Sequence, residues 1–214
     1  MPVTKIYLVR HGESEANRDN TFLGHANQSL TARGHSQAEK TAAFLESVPI
    51  DAIYTSDLDR AYETALHIAE RKGLPVTKCE GLREIRAGEW EEMRFDEIER
   101  RYPDAYRTWM EDIGNARCVG GESVAELQSR FAREVERIAR ANEGKCILIV
   151  SHAMAIRSLK AAWDGLPLSE MKNVPWASNA SVSAGEFRDG IFRMTDYSID
   201  HFMGSIGTVL ADNI

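Results

Sequence analysis

Cysteine, proline, long apolar runs and positive charge are all scarce in this 214-residue chain, and each scarcity excludes a class of protein. The three cysteines, Cys79, Cys118 and Cys146, are an odd number at irregular spacing with no CxxC pair. That excludes a disulfide scaffold, a zinc ribbon and a thiol-exchange motif, and it fits a reducing compartment in which the thiols serve as small apolar residues. The six prolines are scattered, so no collagen-like or Pro-rich disordered tract is present. The first apolar stretch, Ile6 to Val9, stops at Arg10 and His11 and is too short for a signal-peptide core or a membrane span, so a cytoplasmic location and no membrane contact are expected. With 26 Lys and Arg against 33 Asp and Glu, the net charge is −7, and the chain lacks the basic excess that nonspecific nucleic-acid binding requires. If the target is a phosphate, recognition has to be local.

What is present fits a single domain, with 43% hydrophobic and 28% charged residues and no internal repeat or linker over 1–214. Four short, partly β-branched runs, Lys5 to Val9, Ala52 to Thr55, Val76 to Cys79 and Cys146 to Val150, read as buried strands. Helical patterns lie between them. One starts at Ser123, with Glu126 three residues on and apolar positions at Val124, Leu127, Phe131, Val135 and Ile138. A second runs from Leu58 to about Arg71, with Ala61, Tyr62, Ala65, Leu66 and Ala69 on its apolar face and Gly73 as its stop; a third runs from Ala32 to Ser47. This alternation predicts an α/β fold with a mostly parallel central sheet flanked by helices on both faces. Ser181 to Tyr197 reads as an edge hairpin around Asp189-Gly190. The segment at about 81–121 breaks the alternation: charged residues crowd Trp90, and helical pieces are split by Pro103, so an inserted lid over the sheet's end is expected.

Polar clusters follow the predicted strands: Arg10 to Glu13, Ser56 to Arg60, Arg83-Glu84 and Ser151-His152. In open α/β sheets ligands bind outside the carboxyl ends of the strands, so His11 and His152 are expected to converge. Such a pocket suits phosphoryl transfer, because arginine forks grip phosphate oxygens and a histidine nitrogen can accept a phosphoryl group covalently. No P-loop GK[ST], HExxH or Asp-rich strand end appears, and neither a metal nor a cofactor is called for.

Several blocks resemble the histidine phosphatase superfamily, also called the phosphoglycerate mutase-like family. Leu8 to Ser14 carries its Arg-His-Gly signature, followed by Asn17; Leu30 to Ala38 is similar to its LTxxGxxQA helix start, and Ser56 to Ala65 to its SxLxRAxxTA segment. Leu82 to Glu91 resembles its acidic LxExxxGxWE element, and Val150-Ser151-His152 its second histidine. The resemblance implies a three-layer phosphoglycerate mutase-like fold and a phosphomonoesterase acting on a small phosphorylated metabolite. It implies His11 as phosphate-accepting nucleophile, Arg10, Asn17, Arg60 and His152 as the cradle of the phosphoryl group, and Glu84 as proton donor. Among the neighbouring carboxylates, Glu89 is the next candidate for that last role.

The sequence departs from the family pattern at Ala153-Met154, where glycines are usual, at Glu92 after Trp90-Glu91, and at Leu23 beside Gly24, where a polar residue often faces the substrate. These departures bear on specificity. Two rivals stay open at this stage: a phosphoglycerate mutase returning the phosphoryl group to a second hydroxyl, and a noncatalytic phospho-ligand-binding regulator. The Leu82-Arg83-Glu84-Ile85 block favours the phosphatase branch. His25, His35, His67 and His201 read as surface or hydrogen-bonded residues, and Trp90, Trp109, Trp163 and Trp176 as core or lid packing. The stretch from Ser198 to Ile214, with Phe202, Met203, Ile206 and Val209, is expected to cover the pocket or a homodimer interface.

Overall fold

The computed structural model describes residues 2–208 of the chain. Strand β1 (Thr4–Arg10) pairs in parallel with β6 (Cys146–Ser151), which pairs in parallel with β3 (Ala52–Thr55), and β3 with β4 (Val76–Lys78). On the other side of β1 the expected edge hairpin, β7 (Val182–Arg188) and β8 (Ile191–Ile199), runs antiparallel, giving the six-stranded order β4-β3-β6-β1-β7-β8. A separate two-stranded ribbon joins β2 (Thr21–Phe22) to β5 (Met93–Arg94).

Side-chain alternation along the central strands builds two cores. Ile6, Leu8, Ile147 and Ile149 face one side, and Val9, Cys146, Leu148 and Val150 the other. The second face is covered by α2 (Ala32–Phe44) and α3 (Asp59–Lys72), the first by α6 (Val124–Ala141) and α7 (Ala153–Trp163). Helix α6 starts as its sequence demands: the Glu126 amide donates to the Ser123 hydroxyl while Ser123 N–H donates to the Glu126 carboxylate. Helix α3 ends at Gly73, whose φ of +64° is the left-handed cap that glycine adopts without strain. Its buried stripe is rotated from the expected one. Ile68 and Thr64 pack inward and Leu66 is exposed, because the stripe follows Arg60, Ala61, Ala65 and Ala69.

Between β4 and α6 the chain forms short 3-10 turns, then α4 (Phe95–Arg101) and α5 (Pro103–Glu111), split at Pro103 as its missing N–H requires. Leu82, Ile85, Trp90, Ile98, Trp109 and Cys118 of this segment are buried in the same core as α6. After β8, residues His201–Ile206 pack back on α2, where Phe202 stacks on Phe44 with ring centroids 4.2 Å apart. Val209 lies outside the described residues. No helix among the described residues is long and apolar enough to cross a membrane.

Candidate active site

Strand register brings the two histidines together. Arg10 at the end of β1 lies opposite Ser151 at the end of β6, and the His11 amide donates to the Ser151 carbonyl at 2.9 Å. The next residue on each strand is a histidine, and the two rings lie 5.2 Å apart, centroid to centroid. His11 Nδ1 is 2.7 Å from the Gly12 carbonyl, which can only accept, so Nδ1 carries the proton and Nε2 keeps the lone pair. Burial, with Arg60 and Arg10 beside it, pushes the His11 ring well below the ordinary imidazole value and keeps it neutral.

The loop after His11 is held by residues of the neighbouring sequence blocks. Gly12 N–H donates to Thr64 Oγ1 of α3, and Glu13 N–H to Gln37 of α2. Gly12 and Gly34 pass backbone to backbone: a Cβ at Gly34 would lie 2.1 Å from the Glu13 carbonyl oxygen, so neither helix nor loop could approach with a side chain there. The threonine, the glutamine and both glycines therefore fix where the imidazole sits.

Arg10 and Arg60 flank it and are almost fully buried. Arg10 Nη1 donates to the Ala177 carbonyl at 2.6 Å; Arg60 uses Nη1 and Nη2 on the carbonyls of Ala26 and Gly24, at 3.0 and 2.8 Å. Among the described residues neither has an ion-paired carboxylate, and burial lowers each to about 10, still cationic at neutral pH. His152 is wholly buried behind His11; burial, then Arg60 and His11, push its ring well below the ordinary value. Among the described residues, neither nitrogen of His152 has a hydrogen-bond partner, nor has Arg10 Nε.

Glu84 lines the same cavity, carried there by two ties. Ser151 Oγ donates to the Leu82 carbonyl at 2.8 Å, and Arg130 of α6 donates to the carbonyls of Gly81, Arg83 and Glu84 while forking onto Glu122. The Glu84 carboxylate accepts from the amides of Ile85, Met154 and Ala155 at 2.9, 3.1 and 3.2 Å, so it caps the start of α7. Glu89 points elsewhere, accepting from the Tyr102 hydroxyl. His25 bonds the Glu84 carbonyl through Nε2 at 2.8 Å.

The cavity holds about 290 Å³ and is lined by Arg10, His11, Asn17, Leu23, Gly24, Arg60, Glu84 and Ala153 of the expected set; His152 lies just behind its wall. Sequence reasoning missed Asn179 and Thr208. Asn179 Nδ2 donates to Asn17 Oδ1 at 3.1 Å and to the His11 carbonyl at 3.2 Å, and Thr208 Oγ1 donates to Asn179 Oδ1 at 3.0 Å. With Ser14 N–H also on Asn17 Oδ1, the amide is oriented with its Nδ2 left as donor. The Asn179-Ala180-Ser181 stretch just before β7 was the signal available, a short polar break ahead of an apolar strand. Trp176 packs against the core as expected, and it does more than that. It is only half-buried and lines the cavity, because the segment that carries it is held from behind by its backbone; Trp109 is buried, yet one edge reaches the same wall.

The chain is similar to known proteins over most of its length. The chain matches the histidine phosphatase superfamily (branch 1) over residues 6–200. It is 36% identical to phosphoserine phosphatase 1 of Hydrogenobacter thermophilus over 85% of each chain. It is 32% identical to the adenosylcobalamin/alpha-ribazole phosphatase of Escherichia coli, over 78% of this chain and 82% of that one. The solved structure of YhfR from Bacillus stearothermophilus superposes with a TM-score of 0.89 at 32% identity, covering 93% of this chain and 99% of the other. With the family model matching nearly the whole chain and a relative 36% identical over 85% of it, the chain belongs to the histidine phosphatase superfamily, branch 1.

Proposed function

We propose that the protein hydrolyses small phosphomonoesters in two displacements at His11, with Glu84 moving the protons. The observation that carries this is the grouping of a neutral His11, hydrogen-bonded so that Nε2 has the lone pair, with the buried cations Arg10 and Arg60. Buried nitrogens of Arg10 and of His152, which packs against His11, without partners among the described residues support a reading in which an anion's oxygens bind there, since buried polar groups are otherwise almost always hydrogen-bonded.

In the first step His11 Nε2 attacks phosphorus and the P–O bond to the leaving alcohol breaks. The arginines and His152 stabilise charge on the equatorial oxygens, with Asn17 Nδ2 as a further donor. Glu84 gives its proton to the leaving oxygen. The amides of Met154 and Ala155 hold the carboxylate that forms. In the second step water loses a proton to Glu84 and attacks phosphorus, the N–P bond breaks, and inorganic phosphate leaves.

The phosphorylated amino acid, sugar-acid and nucleoside-like substrates in the relatives' names set the expected scale of substrate, a small metabolite. Free, buried cysteines fit a reducing compartment, and we take the cytoplasm as the place of action. A panel of small phosphomonoesters, including phosphoglycerates, tests the proposal by product analysis. Inorganic phosphate is expected. Transfer to a second hydroxyl without phosphate release would make the protein a mutase, and neither product would make it a binding protein.

A further inference from the structure

The wall of the cavity differs in chemistry from its phosphate end. Its apolar side is Phe22, Leu23, Phe95, Trp109, Met154 and Trp176. Beyond Arg10 and Arg60, the lining has one cationic side chain among the described residues, Arg18, and Asp19 holds it through two hydrogen bonds of 2.8 and 3.0 Å with Glu15 at 4.0 Å. Residues 209–214 contain no lysine or arginine. A carboxylate on the leaving group would thus meet no uncommitted cation, and an ammonium group would meet only Glu84, which three backbone amides already engage.

Trp176 is held as a fixed platform. The carbonyls around it are gripped one by one: Val174 by Arg157 Nε at 2.7 Å, Pro175 by the Tyr197 hydroxyl at 2.7 Å, and Ala177 by Arg10 Nη1 at 2.6 Å. Arg157 is 5% exposed, its other hydrogen bonds go to the carbonyls of Met171 and Lys172, and its guanidinium carbon lies 4.2 Å from the Trp176 ring centroid. A buried cation without a carboxylate is costly, and the carbonyls and the indole face are what compensate it here. The strap therefore fixes the indole and ties it, through Ala177 and Arg10, to the phosphate end.

We propose that the leaving group is an uncharged aromatic or similarly flat apolar alcohol seated against Trp176, and that Trp176 is the residue that selects it. This rests on the phosphatase reading above and narrows its substrate class. The test compares kcat/KM for 2-phenylethyl phosphate, ethyl phosphate and O-phosphoserine, all alkyl esters, so that differences report recognition more than leaving-group acidity. The aromatic ester is expected to exceed both others by about ten-fold or more, the scale of one well-placed ring contact with its buried area. Trp176→Ala should lower kcat/KM for 2-phenylethyl phosphate more than for ethyl phosphate, collapsing the ratio, and Trp176→Phe should restore most of it. Equal rates for the aromatic and ethyl esters, a preference for O-phosphoserine, or a ratio untouched by Trp176→Ala would overturn the proposal while leaving phosphatase activity intact. Absence of phosphate release from every ester would overturn both.

Discussion

The two ends of the cavity are built by opposite means. At the phosphate end, His11, Arg10 and His152 stand at the ends of paired strands, placed by backbone register, and the nearby glycines, threonine and glutamine lock the loop. At the proposed leaving-group end, Phe22, Phe95, Trp109 and Trp176 come from a short ribbon, the helices α4 and α5 and a strap before β7. The difference teaches that, on the proposed reading, the reacting groups are set by strand register, whereas the groups proposed to select the leaving group are set by packing between pieces distant in sequence.

The sharpest way to break this comparison is at the strand ends. His11→Ala should lower turnover by at least about 10⁴-fold, since removing a nucleophile leaves only binding and charge stabilisation. Circular dichroism and thermal unfolding should show the variant folded. Arg60→Ala removes one buried donor to the transferring phosphoryl group, and a loss of about 10²–10³-fold in kcat is expected from steady-state kinetics. Glu84→Gln should cost about 10²-fold with alkyl esters and much less with 4-nitrophenyl phosphate, whose leaving group needs no proton. An equal loss with both would remove Glu84 from the proton-donor role.

These contrasts match what could be read from the amino acids alone. The strand ends were legible because each carries its reactive residues in a short stretch: Arg10-His11-Gly12 and Ser151-His152 follow strongly apolar runs, Asn17 lies close after His11, and Arg60 closely follows its own strand. Thr64 and Gln37 were visible as motif letters, but their task of holding the Gly12 and Glu13 amides needed three dimensions. The leaving-group end was not legible. Trp176 sits in an aperiodic stretch, and its position depends on Arg157, Tyr197 and Arg10 gripping the carbonyls around it, which no periodicity encodes. Asn179 reaches Asn17 from the turn just before β7, and Thr208 reaches Asn179 only because the chain returns along α2 after β8.

A smaller effect sharpens the electrostatic side of the comparison. His11 and His152 are held neutral in the folded protein, well below their ordinary value, so the unfolded chain binds more protons as pH falls through about 6.5. Their contribution to stability is present above that pH and is lost progressively below it. Urea unfolding at pH 7.5 and 5.5 should show wild type weakening on acidification, and a His11→Asn/His152→Asn double variant weakening less. The smallest expected effect is none. Excess EDTA should leave kcat/KM within about two-fold, because Arg10 and Arg60 supply the cationic charge that a metal would otherwise bring.

The most direct test follows the phosphoryl group itself. Wild-type protein mixed with a ³²P-labelled phosphomonoester and quenched in alkali should carry label that is stable in base and lost in acid, located by peptide mapping on His11, and it should vanish in His11→Ala. Release of phosphate with no labelled protein at any quench time, or label that persists in His11→Ala, would contradict a covalent intermediate on this residue.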